Sequence, residues 1–182
     1  MRIISGKYKK KIISPPKNFK LRPTTDIAKE ALFNIIANNF DIENISVLDL
    51  FSGTGSISYE FASRGCEKIV CVEKNYKHIS FIKSTVEKLN FSQIKAIKAD
   101  VFSYLNSSQS TFDLIFADPP YDLKEIDKIP ERVFANNLLN KNSWLIVEHS
   151  EKTDFSETPY FKELRAYSKV HFSIFEKKYK KK

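Results

Sequence analysis

Short apolar runs alternate with amphipathic segments along most of this chain, and this alternation constrains the fold more than any other feature. Strands that are separated by helices pair in parallel, since a parallel connection needs a crossover of about a dozen residues or more. Apolar runs without a polar face are typical of strands that are covered on both sides. The sequence therefore predicts an α/β fold with a Rossmann-like, doubly wound and mostly parallel sheet of seven strands.

The expected elements follow one another in a regular order. We expect parallel strands at 45–50, 68–73, 93–99, 112–117 and 143–149, and an antiparallel C-terminal hairpin over 164–177 at the sheet edge. Helices are expected over 56–64, 75–89 and about 124–139, with a short helical turn after the third strand. An earlier helix begins near Thr24, Thr25 or Asp26, and its predicted buried face consists of Ile27, Ala28, Ala31, Leu32, Ile35 and Ile36.

The net charge of +8 is unevenly distributed. Residues 1–22 hold eight basic side chains and no acid, and residues 176–182 add +4, so residues 23–175 sum to −4. Basic ends suit a polyanion, because each neutralised phosphate releases counterions. We interpret residues 1–23 as a basic β-hairpin and linker, and residues 24–182 as the main domain. The candidate nucleic-acid contacts are Arg2, Lys7, Lys9, Lys10, Lys11 and Arg22, whereas the C-terminal lysines are expected to form a solvated tail.

Several protein classes conflict with the composition. No apolar run reaches the roughly 20 residues that cross a bilayer, and the N-terminus lacks the apolar core of a signal peptide, so we expect a soluble cytoplasmic protein without a membrane partner. Cys66 and Cys71 have no metal-ligand spacing and no nearby histidine, so we expect buried free thiols and no metal site.

Four acidic residues fall at the ends of four successive predicted strands: Asp49, Glu73, Asp100 and Asp118. The carboxyl ends of parallel strands meet at one rim, where ligands of open α/β sheets bind. Gly53 and Gly55 lie in the turn after the first strand, where glycine lets a ligand approach the backbone closely. A single acid here is often an ordinary helix cap, but four at one rim indicate a ligand site.

The charge of this rim favours one class of cofactor. A dinucleotide brings two phosphates, which four carboxylates would repel, and Ser58 is a poor match to the third glycine of the dinucleotide fingerprint. S-adenosylmethionine has no phosphate and carries a cationic sulfonium, so it suits the rim better. Glu73 is placed to accept the ribose hydroxyls and Asp100 to reach the adenine amino group.

The stretch FDLIFADPPYD ends a predicted strand in Asp118, Pro119, Pro120 and Tyr121. The prolines stiffen the backbone, so the Asp118 carboxylate and the Pro119 carbonyl are presented as two fixed acceptors. Two acceptors can hold the protons of an exocyclic amine, and Tyr121 can stack on an extruded base. Considered without the rest of the chain, these residues are equally consistent with a strand that ends in a proline turn and has no catalytic role.

LDLFSGTGS, the VEKN acid, KADVF and DPPY resemble, in that order, the motifs of class I S-adenosylmethionine-dependent methyltransferases that act on an amino or amide nitrogen. RIISGKYKKKII (2–13), LRPTTDIAKEALFNII (21–36) and LDLFSGTGSISYEFASRG (48–65) are similar, more narrowly, to the bacterial 16S rRNA guanine-N2 methyltransferase (RsmD) family. The resemblance implies cofactor contacts from Asp49, Phe51, Gly53, Gly55, Glu73, Lys74, Asp100, Val101 and Asp118. Where the family usually has Gly, this chain has Lys10, and it lacks the family's Arg near Ile27 or Ala28 and a Gly-containing turn near 168–170.

The resemblance implies methyl transfer to N2 of a guanine in 16S rRNA, with naked rRNA or a small-subunit assembly particle as partner and with the enzyme acting as a monomer. Three alternatives share parts of the pattern. An N6-adenine DNA or RNA methyltransferase uses the same DPPY chemistry, and a protein glutamine methyltransferase usually has Asn in place of Asp118. A non-catalytic rRNA-binding assembly factor would keep the fold without the reaction.

Overall fold

A computed structural model describes residues 1–19 and 25–177 and has one sheet with helices on both faces. The strands are β1 (Ser46–Leu50), β2 (Lys68–Glu73), β3 (Ile94–Lys98), β4 (Phe112–Ala117), β5 (Leu139–His149), β6 (Phe161–Tyr167) and β7 (Val170–Glu176). The α-helices are α1 (Asp26–Ala37), α2 (Ser56–Ser63), α3 (Tyr76–Leu89), α4 (Val101–Ser107) and α5 (Lys128–Ala135), and a short 3-10 turn spans Ile42–Asn44. No helix within the described ranges is long and apolar enough to cross a bilayer.

The seven-stranded sheet has the order β3-β2-β1-β4-β5-β7-β6. The first five strands pair in parallel, and β7 joins β5 and β6 in antiparallel orientation. This confirms the predicted doubly wound sheet and its edge hairpin. One apolar core lies where α1, α2 and α3 cover the sheet, and a second lies under α4 and α5 on the other face. Strands β1 and β4, near the centre of the sheet, are therefore buried on both faces, which explains their continuous apolar sequence.

The first helix begins where the sequence predicts and buries most of the predicted face. The Thr25 hydroxyl accepts a hydrogen bond from the Ala28 N–H and caps the helix. Ile27, predicted to be buried, is 79% exposed, whereas Lys29 is only 2% exposed. The prediction is wrong only at Ile27, because the other residues of the predicted face are buried or partly buried: Ala28, Ala31, Leu32, Ile35 and Ile36. Lys29, which the sequence did not place in the interior, forms an ion pair there with Glu60 of α2.

The largest differences in element bounds occur around α5. The predicted helix over 124–139 contracts to Lys128–Ala135, and β5 begins at Leu139 rather than at Ser143. The early part of β5 pairs with β4 through Phe112 and Leu139, followed by a register shift. Asn142 has a φ of 58° within this irregular stretch, and a bulge of this kind interrupts the alternation on which strand prediction depends.

The N-terminal segment folds back on itself and packs against α2. Its two arms are joined by backbone hydrogen bonds and one antiparallel bridge between Arg2 and Ile12. Glu60, which is fully buried, accepts hydrogen bonds from the backbone N–H groups of Ile4 at 2.8 Å and Ser5 at 2.9 Å. The basic segment is therefore held on the main domain by a buried carboxylate as well as by apolar contacts.

Two turn residues that carry a side chain adopt a left-handed backbone. Lys10 has a φ of 70° and Ser168 a φ of 57°. Residues with a side chain avoid this region, whereas glycine adopts it without steric cost. These two turns therefore form without glycine, at the steric cost that a side chain brings to this region.

Candidate active site

The carboxyl ends of the parallel strands line a connected groove. Its larger part has a volume of about 990 Å³ and an adjoining cavity has about 360 Å³. Phe51, Gly53 and Asp118 line both parts, so the two spaces meet beside the DPPY motif. The other predicted rim acids also line one part or the other: Asp49, Glu73 and Asp100. The strand-end acids thus lie together, as their positions in the sequence predict.

Asp49 lies at the bottom of the smaller cavity and is 1% exposed. The Ser58 hydroxyl donates a hydrogen bond of 2.6 Å to its carboxylate. Burial raises the pKa of the Asp49 carboxyl to about 7, and the negative charges of Asp118 and Glu73 contribute to that rise. A cation bound in this cavity would favour the ionised carboxylate, because it would offset both the lost hydration and the acidic neighbours.

Phe51 and the two glycines of the loop after β1 adopt positive φ values. At Gly53 an added Cβ would meet only open space, since the nearest atom is 4.0 Å away. At Gly55 it would lie 2.8 Å from the Tyr59 ring, so glycine is required there by packing. Phe51 has a φ of 57°, an uncommon backbone conformation that often occurs at binding sites.

Glu73 anchors the same loop. One oxygen accepts a 3.0 Å hydrogen bond from the Gly53 N–H, and the other accepts a 2.7 Å hydrogen bond from the Asn75 N–H. Each carboxylate oxygen retains a second lone pair, so these bonds leave acceptor capacity toward the groove.

Asp100 caps a helix as well as lining the groove. Its carboxylate accepts hydrogen bonds from the N–H groups of Phe102 and Ser103 at the start of α4. Its second oxygen lies 3.3 Å from the Lys74 ammonium. The Ser103 N–H lowers the pKa of Asp100, and Lys74 lowers it further. Val101 is the first residue of the capped helix and lies in the groove wall.

The DPPY motif forms the wall where the two spaces meet. Asp118 follows β4 directly, and its backbone N–H lies 3.4 Å from the Leu50 carbonyl of β1. Pro119 is buried, whereas the Tyr121 side chain is 41% exposed and borders the groove. A fixed acid therefore lies beside an accessible aromatic ring, which is the arrangement predicted for an amine on a planar base.

The segment that follows the N-terminal hairpin also borders the loop after β1. This contact was not predicted from the sequence. Pro15, Pro16, Lys17 and Phe19 line the smaller cavity opposite Asp49. The Phe19 ring lies 5.0 Å from the His78 ring of α3, measured between ring centroids. No local pattern in the sequence indicates this contact, because it joins an extended segment to a helix about 60 residues further along the chain.

Glu148 is a fifth acid at the end of a parallel strand, and it lines the wider part of the groove. It was not identified as a site residue from the sequence. Its sequence signal is the same as that of the other four, an acid at the end of an apolar run in SWLIVEH.

Three further titratable side chains are buried in the core of the described structure and do not line the groove: His149, Cys66 and Cys71. His149 is buried, donates from Nδ1 to the Ser150 carbonyl and accepts at Nε2 from the Ser173 hydroxyl, and burial lowers its pKa. Cys66 and Cys71 are buried free thiols, as predicted, and burial raises their pKa values.

The predicted nucleic-acid contacts lie mainly on the exposed turn of the N-terminal segment: Lys7, Lys9, Lys10 and Lys11 are all exposed. Arg2 pairs with Asp26 at 2.7 Å, which ties it to the start of α1. Arg22 and the lysines after residue 177 lie outside the described residues.

A protein-family model described as "Conserved hypothetical protein 95" matches residues 1–176. The chain is 32% identical over 179 residues to "Ribosomal RNA small subunit methyltransferase D" of Buchnera aphidicola subsp. Baizongia pistaciae, covering 96% of this chain and 91% of that protein. A protein of the same name from Haemophilus influenzae is 30% identical over 152 residues, covering 81% of this chain and 78% of that protein.

A solved structure of a hypothetical protein from Thermus thermophilus has the same fold, with a TM-score of 0.82 at 23% sequence identity. The superposition covers 97% of this chain and 99% of that chain, so the N-terminal segment is part of the shared architecture. The match to the family model and the identity to the Buchnera protein together show that the chain belongs to the RsmD family of class I S-adenosylmethionine-dependent methyltransferases.

Proposed function

We propose that this protein uses S-adenosylmethionine to methylate the exocyclic N2 of a guanine in 16S rRNA. The observation that carries the proposal is the position of Asp118, which lines both the cofactor cavity and the wider groove beside Tyr121. An acid at this junction can contact an acceptor amine while the methyl donor occupies the smaller cavity with its methionine end and extends past Glu73 along the wider groove.

The cavity suits a cationic, phosphate-free ligand. Asp118 and Glu73 lie close enough to Asp49 that their negative charges add to the rise of its pKa that burial causes. The space between these acids therefore has a negative potential. Asp49 and the Gly53 loop would hold the methionine end, and Glu73 the ribose, with the α4 N-terminus beside the adenine. When bound, S-adenosylmethionine supplies an electrophilic methyl group on a positively charged sulfur.

The exocyclic amine is a weak nucleophile, because its lone pair is delocalised into the purine ring. Asp118 and the Pro119 carbonyl would accept hydrogen bonds from its two N–H groups and draw the nitrogen toward tetrahedral geometry. As the nitrogen bonds to the methyl carbon, the bond from that carbon to sulfur would break, and the nitrogen would pass one proton to the Asp118 carboxylate. Tyr121 would stack on the extruded base, a contact worth roughly 1–3 kcal/mol. The rate would then come mainly from positioning the two reactants.

An RNA substrate is supported by the relatives named ribosomal RNA small subunit methyltransferase D and by the exposed lysines of the N-terminal turn. In this proposal residues 1–23 grip rRNA or a small-subunit assembly particle, and residues 24–182 carry the reaction. The exposed lysines of the N-terminal turn, which packs at the C-terminal end of α2, would add phosphate contacts that hold the RNA on the enzyme.

Asp118→Ala should lower kcat for RNA methylation by about 100-fold or more, because the amine loses a fixed acceptor. S-adenosylmethionine binding, measured by calorimetry, should weaken by less than about tenfold, since the other cofactor contacts remain. Asp122→Asn is the matched control, because this exposed acid lies four residues away on the same loop. A fully active Asp118→Ala enzyme would contradict the assigned role.

The substrate is tested by mass-spectrometric mapping of 16S rRNA from cells that lack the gene, before and after incubation with the purified protein. We expect one missing N2-methylguanine that the enzyme restores. A restored N6-methyladenine would indicate the adenine alternative, and cofactor binding without any RNA methylation would indicate the assembly factor.

A further inference from the structure

Glu148 occupies the position next to Asp118 at the rim. Ala117 of β4 and Val147 of β5 are paired in parallel register, and Asp118 and Glu148 are the residues that follow them. Adjacent strands lie about 4.8 Å apart, so the two acids extend from neighbouring points of one edge. Both line the wider groove.

Burial distinguishes Glu148 from Glu125, another acid that lines the wider groove. Glu148 is 4% exposed, whereas the Glu125 side chain is 52% exposed and pairs with Lys128. A buried carboxylate is costly unless hydrogen-bond donors surround it. An ionised carboxylate has only acceptor atoms, so at this place on the groove wall it favours a ligand edge that donates and disfavours one that presents a lone pair.

Guanine has such an edge. Its N1–H lies beside the 2-amino group, and in the proposed reaction Asp118 and Pro119 already account for the amino protons. Adenine has a lone pair at N1, which would face the negative carboxylate. A hydrogen bond between a neutral donor and a charged acceptor is stronger than one between neutral groups, so a carboxylate beside N1 discriminates strongly between the two bases.

We propose that the Glu148 carboxylate accepts the N1–H of the target guanine and so determines the base specificity of the enzyme. This inference rests on the proposed function and adds to it. Asp118 acts on the amino group, whereas Glu148 reads the ring position beside that group.

The test compares guanine with 2-aminopurine at the target nucleotide found by rRNA mapping, in small-subunit particles reconstituted from ligated 16S rRNA. 2-Aminopurine keeps the acceptor amine but has a lone pair at N1. The wild-type enzyme should prefer guanine by about tenfold or more in kcat/KM. In Glu148→Gln the preference should fall to about threefold or less, because a carboxamide can either accept from N1–H or donate to N1.

Glu125→Gln is the matched control and should keep the wild-type preference, and thermal unfolding of each variant reports on folding. Equal wild-type rates on the two bases would overturn the proposal without any variant. So would a folded Glu148→Gln enzyme that keeps the full preference, since a purely structural glutamate would change both rates alike. Failure of the proposed function is seen separately, as an rRNA map without a restored N2-methylguanine, and this inference then fails with it.

Discussion

At the scale of single residues, the raised pKa of Asp49 makes the charge of the smaller cavity depend on pH near neutrality. This pKa of about 7 is far above that of an exposed aspartate, because burial disfavours the charged form. A raised carboxyl pKa means that the ligand-free protein is stabilised by the bound proton, and this contribution is lost as pH rises through about 7. A cationic ligand has the opposite preference, since it favours the ionised carboxylate.

We therefore expect S-adenosylmethionine affinity to weaken as pH falls below about 7, by up to about tenfold per pH unit, as for one linked proton. Calorimetric titrations between pH 5.5 and 8 would measure this. Asp49→Asn keeps an acceptor for Ser58 but cannot ionise, so its affinity should follow only the titration of the ligand itself. Equal pH slopes in the two proteins would rule out Asp49 as the linked group.

At the scale of elements, the N-terminal hairpin depends on close backbone contact with α2. A Cβ at Gly6 would lie 1.8 Å from the Ser63 carbonyl oxygen, and Gly6 has a φ of 78°. The Lys7 N–H donates to the same oxygen at 2.7 Å. The hairpin can approach the helix this closely only with glycine at this position.

Gly6→Ala should lower the free energy of unfolding by about 1–3 kcal/mol, or release the hairpin from the helix, because the added methyl overlaps backbone atoms. Urea denaturation measures the first outcome. Faster hydrogen exchange at the Ile4 and Ser5 amides, which donate to Glu60, reports the second. Lys9→Ala is the control in the same turn, and an unchanged Gly6→Ala protein by both measurements would show that the hairpin is not docked in this way.

At the scale of the whole molecule, the positive charge of the N-terminal hairpin contrasts with the acidic groove. Residues 1–22 carry +8, whereas residues 23–175 sum to −4. A polyanion would therefore be attracted to the N-terminal segment and repelled from the acidic groove. In the proposed function, this separation of charge would let an RNA backbone bind without competing with a cationic methyl donor.

The double variant Lys9→Ala and Lys11→Ala should weaken rRNA binding and reduce the slope of log K against log salt concentration by about 0.7–0.9 for each phosphate that is no longer neutralised. Filter binding at several salt concentrations measures both quantities. The control is Lys141→Ala with Lys152→Ala, which removes the same charge from exposed positions on and just after β5, whereas the N-terminal turn packs on α2 and Phe91. Equal losses of affinity in the two double variants would assign binding to overall charge alone.

Local patterns predicted most of the fold because strand and helix periodicities repeat within each element. The bounds of β1, β2 and α3 agree with the sequence to within one residue, since apolar runs and caps such as Asn75 define them. The errors at α1 and α5 have a different origin. The burial of Lys29 depends on Glu60, and the early start of β5 depends on pairing with β4.

The sequence by itself determined the order of strands and helices, the rim of acids and the DPPY wall, because in a parallel sheet the place of a residue along its strand also decides its place at the rim. Only the tertiary structure decided how the N-terminal segment sits on α2, which part of it lines the cofactor cavity, and that Glu148 neighbours Asp118. Ile4 and Glu60 are 56 positions apart, and no local periodicity records a contact across such a separation. The physical reason is that these contacts form only when separate elements meet.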